Sequence, residues 1–215
     1  MNKRLVFFCI SAGLLASFYV FSKQVRHGFL KNTDFAITVK IQDKIPSKLD
    51  SIMDDGAILA DGIVSSVLVL AITAWGFIGT KKKRFFLGAI VIPLAFFFLG
   101  IGEIYGKNIL PHPGPPFFMV KKPTTIFPKF HVVQPYAYPS GHAGRSAFLA
   151  VVLTAMVIRR FWQKREKAAL FVLVIFGYAL FVWVSRIYLG HHWFSDIMGG
   201  ILLGGAFSSL AVGFL

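Results

Sequence analysis

The chain has 215 residues, of which 56% are hydrophobic and only 15% charged, and its formal charge is +14. That apolar weight, with 24 phenylalanines, sets aside an ordinary soluble domain and fits an integral membrane protein. The basic residues sit at the ends of apolar runs, which points to membrane orientation and anionic lipid rather than nucleic acid.

Six apolar spans are readable, at residues 5–22, 57–79, 85–105, 142–160, 168–188 and 197–215, each near the ~20 residues that cross a bilayer. They predict an all-α polytopic protein, a bundle of six transmembrane helices forming one membrane domain. The first span follows Lys3 and Arg4. It is long for a signal-peptide core and no small-x-small cleavage site follows, so it reads as a retained helix. Cys9 is the sole cysteine, so no internal disulfide can form. The preceding Val6, Phe7 and Phe8 do not make a lipobox.

Residues 23–56 alternate charged and apolar positions, with Leu49, Ile52 and Met53 at helical spacing. A short amphipathic helix on the outer leaflet and a solvated loop both fit. Asp34, Asp43, Asp50, Asp54 and Asp55 read as balancing the lysines of this segment. Asp61, near the outer end of the second span, needs a polar partner. Pro93 predicts a kink in the third. Glu103 and Lys107 are four apart, a helical ion pair that would position the lysine.

Pro139-Ser140-Gly141-His142 enters the fourth span. Ser140 can cap the helix, and free backbone N–H groups there favour an anion; an ordinary capped helix also explains the motif. Ser185 to Asp196 then places Arg186, His192 and Asp196 between two apolar spans. Arg186 is a fixed-charge bidentate phosphate donor, or an interfacial arginine that snorkels. His192 and Asp196 share a helical face. The aspartate can fix the imidazole tautomer and leave the other ring nitrogen to attack; a structural pair at a helix end reads equally well. His191 reads as structural. In the last span, Gly200 and Gly204, with Gly199 and Gly205 beside them, predict close helix packing.

Lys3 and Arg4, the run Lys81, Lys82, Lys83 and Arg84, and the cluster Arg159, Arg160, Lys164, Arg165 and Lys167 assign three regions to the cytoplasm by the positive-inside rule. Both termini are then cytoplasmic, and residues 23–56, 106–141 and 189–196 face outside. Lys107, the 139–142 motif and the 185–196 window fall on that same outer side, although none of them entered the assignment.

These residues resemble the type 2 phosphatidic-acid phosphatase superfamily, membrane lipid phosphatases related to bacterial acid phosphatases and vanadium haloperoxidases. The family's third motif, Ser-Arg, five residues, His, three residues, Asp, matches at Ser185, Arg186, His192 and Asp196. Its second, Pro-Ser-Gly-His, matches from Pro139 to His142. Its first, Lys, six residues, Arg-Pro, matches at Lys107 and Pro115, but Gly114 stands at the arginine position. The likeness covers residues 57–215 and implies a site on the outer face. It also implies roles. His192 attacks phosphorus and forms a phosphohistidine, Asp196 orients it, and His142 protonates the leaving oxygen and then helps activate water. Lys107, Arg186, Ser140 and the Gly141 backbone hold the phosphoryl oxygens. No metal or other cofactor enters this scheme.

A missing phosphate ligand should cost about 1.5–3 kcal/mol if nothing replaces it. Arg145 and Lys121 are the preferred replacements, with Lys122 and His112 as others. The substrate implied is a polyprenyl diphosphate, such as undecaprenyl diphosphate, or a glycerolipid phosphate, in a bacterial cytoplasmic membrane. Two other classes are weighed. One is an impaired relative that binds or transports lipid phosphates. The other is a metal or haem protein using His131, His142, His191 and His192, which Arg186 beside a metal would disfavour. The sequence gives no oligomeric state.

Overall fold

An apolar segment in lipid must satisfy its own backbone hydrogen bonds, and a helix does so within one run of chain. The computed structural model describes residues 2–77, 83–121 and 136–215. Lys81, Lys82, Lys122 and His131 lie outside the described residues, as do the side chains of Lys83 and Arg84. Among the described residues every regular element is helical.

The helices are α1 (Lys3–Arg26), α2 (Lys31–Lys44), α3 (Asp50–Asp55), α4 (Gly62–Phe77), α5 (Lys83–Ile109), α6 (Gly141–Arg160), α7 (Arg165–Tyr188) and α8 (Phe194–Val212). Five of them, α1 and α5 to α8, are long and apolar enough to cross a membrane. The remaining predicted span is the shorter α4. It starts five residues later than the hydropathy suggests, because Ile58–Ala60 forms a 3-10 turn. Asp61 then caps α4, its Oδ1 accepting the Ile63 N–H at 3.0 Å, which supplies the polar partner expected for it. The third span differs the other way. Its helix runs through Pro93 to Ile109, so Lys107 is helical and lies one turn beyond Glu103.

The long helices alternate in direction. The C-terminal ends of α1, α5 and α7 therefore meet the N-terminal ends of α4, α6 and α8 at one end of the bundle. Helix α8 is the most enclosed and packs against α6, α1 and α5. Gly200 and Gly204 make this possible. A Cβ at either would collide with the backbone of α6, at Ser140 and at Gly144, so the close approach expected of the glycine pair is present. Leu99, Phe148, Val152 and Leu203 fill the core between α5, α6 and α8. Outward-facing Leu70, Trp75, Phe97 and Leu173 are exposed, as suits surfaces that meet lipid rather than water.

The segment between α1 and α4 is neither a solvated loop nor a helix lying only on lipid. Along α2, Asp34, Ile37, Thr38 and Ile41 share one face. Asp34 and Thr38 are buried, and the two isoleucines pack on Ala143, Ile187 and Ile197. The segment thus docks across the end of the bundle where the three motifs converge. Charge balance also understates its aspartates, because Asp34, Asp50 and Asp54 each grip a residue at that end.

Candidate active site

The second and third motifs are joined through the backbone. The Ser140 N–H donates to the Asp196 carbonyl oxygen at 2.9 Å. Ser140 also caps α6, its side chain accepting the Ala143 N–H at 3.4 Å. The first motif joins them through Trp193, whose indole N–H donates to the Pro113 carbonyl at 2.9 Å. These bonds place the start of α6, the start of α8 and the stretch after α5 side by side. Gly190 makes the turn between α7 and α8 at φ +69°, and a Cβ there would strike the Met119 carbonyl.

Within this junction His192 Nδ1 lies 3.4 Å from Asp196 Oδ2. That same oxygen accepts the Trp193 N–H at 2.8 Å, the reciprocal bond of a helix N-terminal box. Asp196 is fully buried and His192 is 12% exposed at its side chain. Burial, then the charges of Lys107 and Arg186, push the His192 pKa down to about 3; Glu103 opposes the shift and Arg145 adds to it. The imidazole is therefore neutral and keeps a lone pair for attack. His142 lies within electrostatic reach of Arg145, Arg186, His192 and Lys107.

The cations are held by carboxylates. Lys107 Nζ donates to Glu103 Oε1 at 2.8 Å, the expected helical pair. Glu103 has a second partner that sequence spacing could not reveal: Arg145 Nη1 donates to its Oε2 at 2.6 Å. The Arg145 Nε also donates to the Ala60 carbonyl at 2.8 Å. Gly141 admits this carboxylate, because a Cβ there would overlap it. Arg186 is 4% exposed. Its Nη2 donates to the Met53 carbonyl at 3.1 Å and to Asp54 Oδ1 at 3.3 Å. Its Nη1 stands 3.2 Å from His191 Nδ1, which gives His191 a place beside a site cation.

The two preferred substitutes for the missing arginine part company. Arg145 belongs to the group whose charge acts on His192. Lys121 is engaged elsewhere: its Nζ donates to the Tyr188 hydroxyl at 3.0 Å and lies 3.6 Å from Asp50. His112 does not join the cations either. It is buried beside Asp196, with Nε2 3.4 Å from Asp196 Oδ1. Among the described residues, a Cβ at Gly114 would meet only Ala137, at 3.4 Å. Among the described residues, no three His, Cys, Asp or Glu side chains are arranged to hold a metal ion.

The motifs do not name Asp34, Asp54 or Ser195; in the sequence the two aspartates read only as balancing lysines, and Ser195 carries no reading. Asp34 carried a signal, since it is a carboxylate on the face of α2 that also presents Ile37 and Ile41. Asp54 carried none, because its pairing with Arg186 spans 132 positions.

Comparison with known proteins agrees with this geometry. A sequence profile of the PAP2 superfamily matches residues 89–215. Phosphatidylglycerophosphatase B of Bacillus subtilis strain 168 is 34% identical over 82 residues. That match spans 37% of this chain and 39% of the relative's length. The crystal structure of a transmembrane PAP2-type phosphatidylglycerolphosphate phosphatase from Bacillus subtilis superposes with a TM-score of 0.72 at 20% identity. It covers 95% of this chain and 94% of that one. The structure of Aquifex aeolicus LpxE superposes with a TM-score of 0.56 at 21% identity, covering 82% of this chain and 93% of its own. At such identities the structural likenesses concern the fold.

Proposed function

We propose that this chain, which belongs to the PAP2 superfamily, is a membrane lipid phosphatase that works through a phosphohistidine at His192. The observation that carries the reading is the buried junction in which His192 faces Asp196 at 3.4 Å while Lys107, Arg145 and Arg186 impose positive charge on it. A neutral imidazole facing a carboxylate, amid three cations, suits in-line attack on a phosphoryl group.

The steps follow from the groups present. His192 Nε2 forms a bond to phosphorus as the bond from phosphorus to the lipid oxygen breaks. His142, which takes up a proton as the anionic phosphate binds beside it, gives that proton to the oxygen. Asp196 offsets the charge that the phosphorylated imidazole acquires. Water then attacks phosphorus, His142 takes its proton, and the N–P bond breaks to release inorganic phosphate. Lys107, Arg186, Arg145, Ser140 and the Gly141 backbone hold the phosphoryl oxygens as charge shifts between them.

The lipid class we favour is a polyprenyl diphosphate or a glycerolipid phosphate. A groove of about 340 Å³ between α4 and α5, lined by Val69, Leu70, Phe96, Phe97, Ile101 and Ile104, suits an acyl or prenyl chain. Its Ile104 end lies on the side of the catalytic junction. The opposite end of the bundle carries Lys3, Arg4, Arg159, Arg160, Lys164 and Arg165, which supports a cytoplasmic assignment there and an outward-facing site.

A phosphate-release screen in detergent, with lipid monophosphates and diphosphates and with vanadate as inhibitor, tests the reading. Release from at least one class, blocked by vanadate and lost in His192→Ala, is expected. A folded protein that binds vanadate but releases no phosphate from any of them would support the second reading, a binder without turnover, to which Gly114 lends its weight.

A further inference from the structure

His112 lies five residues after Lys107, within the stretch that in the family's first motif leads to arginine. It is 5% exposed and stands on the side of Asp196 away from His192. Asp196 Oδ2 faces His192, while Oδ1 has no hydrogen-bond partner among the described residues. The His112 Nε2 approaches that oxygen to 3.4 Å. A buried carboxylate oxygen without a donor is costly, and this ring N–H is the group placed to serve it.

The proton on Nε2 is fixed from behind. The Ser195 N–H donates to Asp34 Oδ1 at 2.8 Å, and the Ser195 hydroxyl donates to Asp34 Oδ2 at 2.7 Å. With its hydrogen committed to Asp34, Ser195 Oγ can only accept from His112 Nε2, which lies 3.1 Å away. That contact sets the tautomer with Nε2 protonated and directs the N–H between Ser195 and Asp196. The Tyr138 ring meets the imidazole edge-on, with centroids 6.3 Å apart, and holds its plane. Burial lowers the His112 pKa, with Asp196 opposing, so the ring acts as a neutral donor. Asp34 is 1% exposed and Ser195 fully buried, so water does not substitute for either.

We propose that His112 is a positioning residue for Asp196, and that Asp34, acting through Ser195, holds His112 in that role. In this chain the first-motif stretch braces the aspartate that orients the nucleophile, and α2 is part of the catalytic apparatus. Asp34 lies outside residues 89–215, the part that matches the family profile. The inference rests on the phosphatase reading above.

The test measures kcat and KM in full-length protein for His112→Leu, His112→Gln, Asp34→Asn and the Asp34→Asn/His112→Leu double variant. His112→Leu should lower kcat about tenfold or more with KM little changed, since an orienting bond is lost and phosphate contacts are not. His112→Gln, whose amide N–H can occupy the Nε2 position, should recover most of the rate. Asp34→Asn should lower kcat when His112 is present and do nothing further in the double variant, because it acts through His112. A His112→Leu protein with wild-type kcat, or additive losses in the double variant, would overturn the inference alone, as would failure of His112→Gln to recover the rate. A folded wild-type protein inert on every lipid phosphate would overturn the phosphatase reading and this inference together.

Discussion

Ser140 and Asp196 are 56 positions apart, yet the Ser140 N–H donates to the Asp196 carbonyl at 2.9 Å. The first residue is the cap of α6 and the second lies in the first turn of α8. Their bond draws together His142, two residues after Ser140, and His192, four residues before Asp196. The active junction is therefore built where two helix N-termini meet, and both helix dipoles favour an anion there.

His142, as the proposed proton donor to the leaving oxygen, should matter in proportion to how much that oxygen needs a proton. His142→Ala should lower kcat on an alkyl lipid phosphate by about 10²–10⁴. On an aryl phosphate with an acidic leaving group, the loss in the first step should be much smaller. Single-turnover rates on the two substrates measure this. Equal losses would remove His142 from the acid role.

Arg145, the proposed stand-in for the missing first-motif arginine, is already engaged by Glu103, which accepts from it at 2.6 Å. Arg145→Ala should lower kcat/KM by about 10- to 100-fold, the equivalent of one charge-assisted bond. Gly114→Arg should fit, since among the described residues a Cβ there meets only Ala137 at 3.4 Å, and should raise kcat/KM in the Arg145→Ala background. No gain in that background would show that position 114 does not reach the phosphate.

The depressed pKa of His192 has a consequence for stability. Its folded value is about 3, against ~6.5 in an unfolded chain. The unfolded chain therefore takes up the proton first as pH falls. The stability held by the neutral ring is complete above pH ~6.5 and declines toward pH 3, by about 1.4 kcal/mol per unit at its steepest. Thermal unfolding in detergent between pH 7 and 4.5 should show a larger fall in midpoint for wild type than for His192→Gln. Parallel falls would contradict a buried neutral imidazole.

The groove between α4 and α5 makes a prediction about chain length. Gly100 lines it, and among the described residues a Cβ there would meet no neighbouring atom within 4 Å. Gly100→Leu should fold normally and partly fill the groove. KM should rise for long-chain lipid phosphates and stay level for a short-chain ester. An unchanged long-chain KM would place the tail elsewhere.

Much of this is legible in the sequence. The spans follow from hydropathy, and the second and third motifs from their spacing, because both are local in sequence. The start of α4 was misplaced because Ala57 to Ala60 are apolar yet fold as a turn closed by Asp61. The partners that hold the site were not readable. Arg145 with Glu103, Arg186 with Asp54 and Ser195 with Asp34 are each joined by tertiary packing over 42 or more positions. Periodicity gives no account of such pairs. Asp34 came nearest to being visible, as the one charged residue on the buried face of α2.

The most direct test of the central claim is to quench turnover within milliseconds on a lipid substrate labelled at its terminal phosphate, and to assay the protein for covalent label. A phosphoenzyme that is labile to acid and stable to base, mapped to His192 and absent in His192→Ala, is the predicted result. Steady phosphate release with no protein-bound label at any time, or label that persists in His192→Ala, would contradict it.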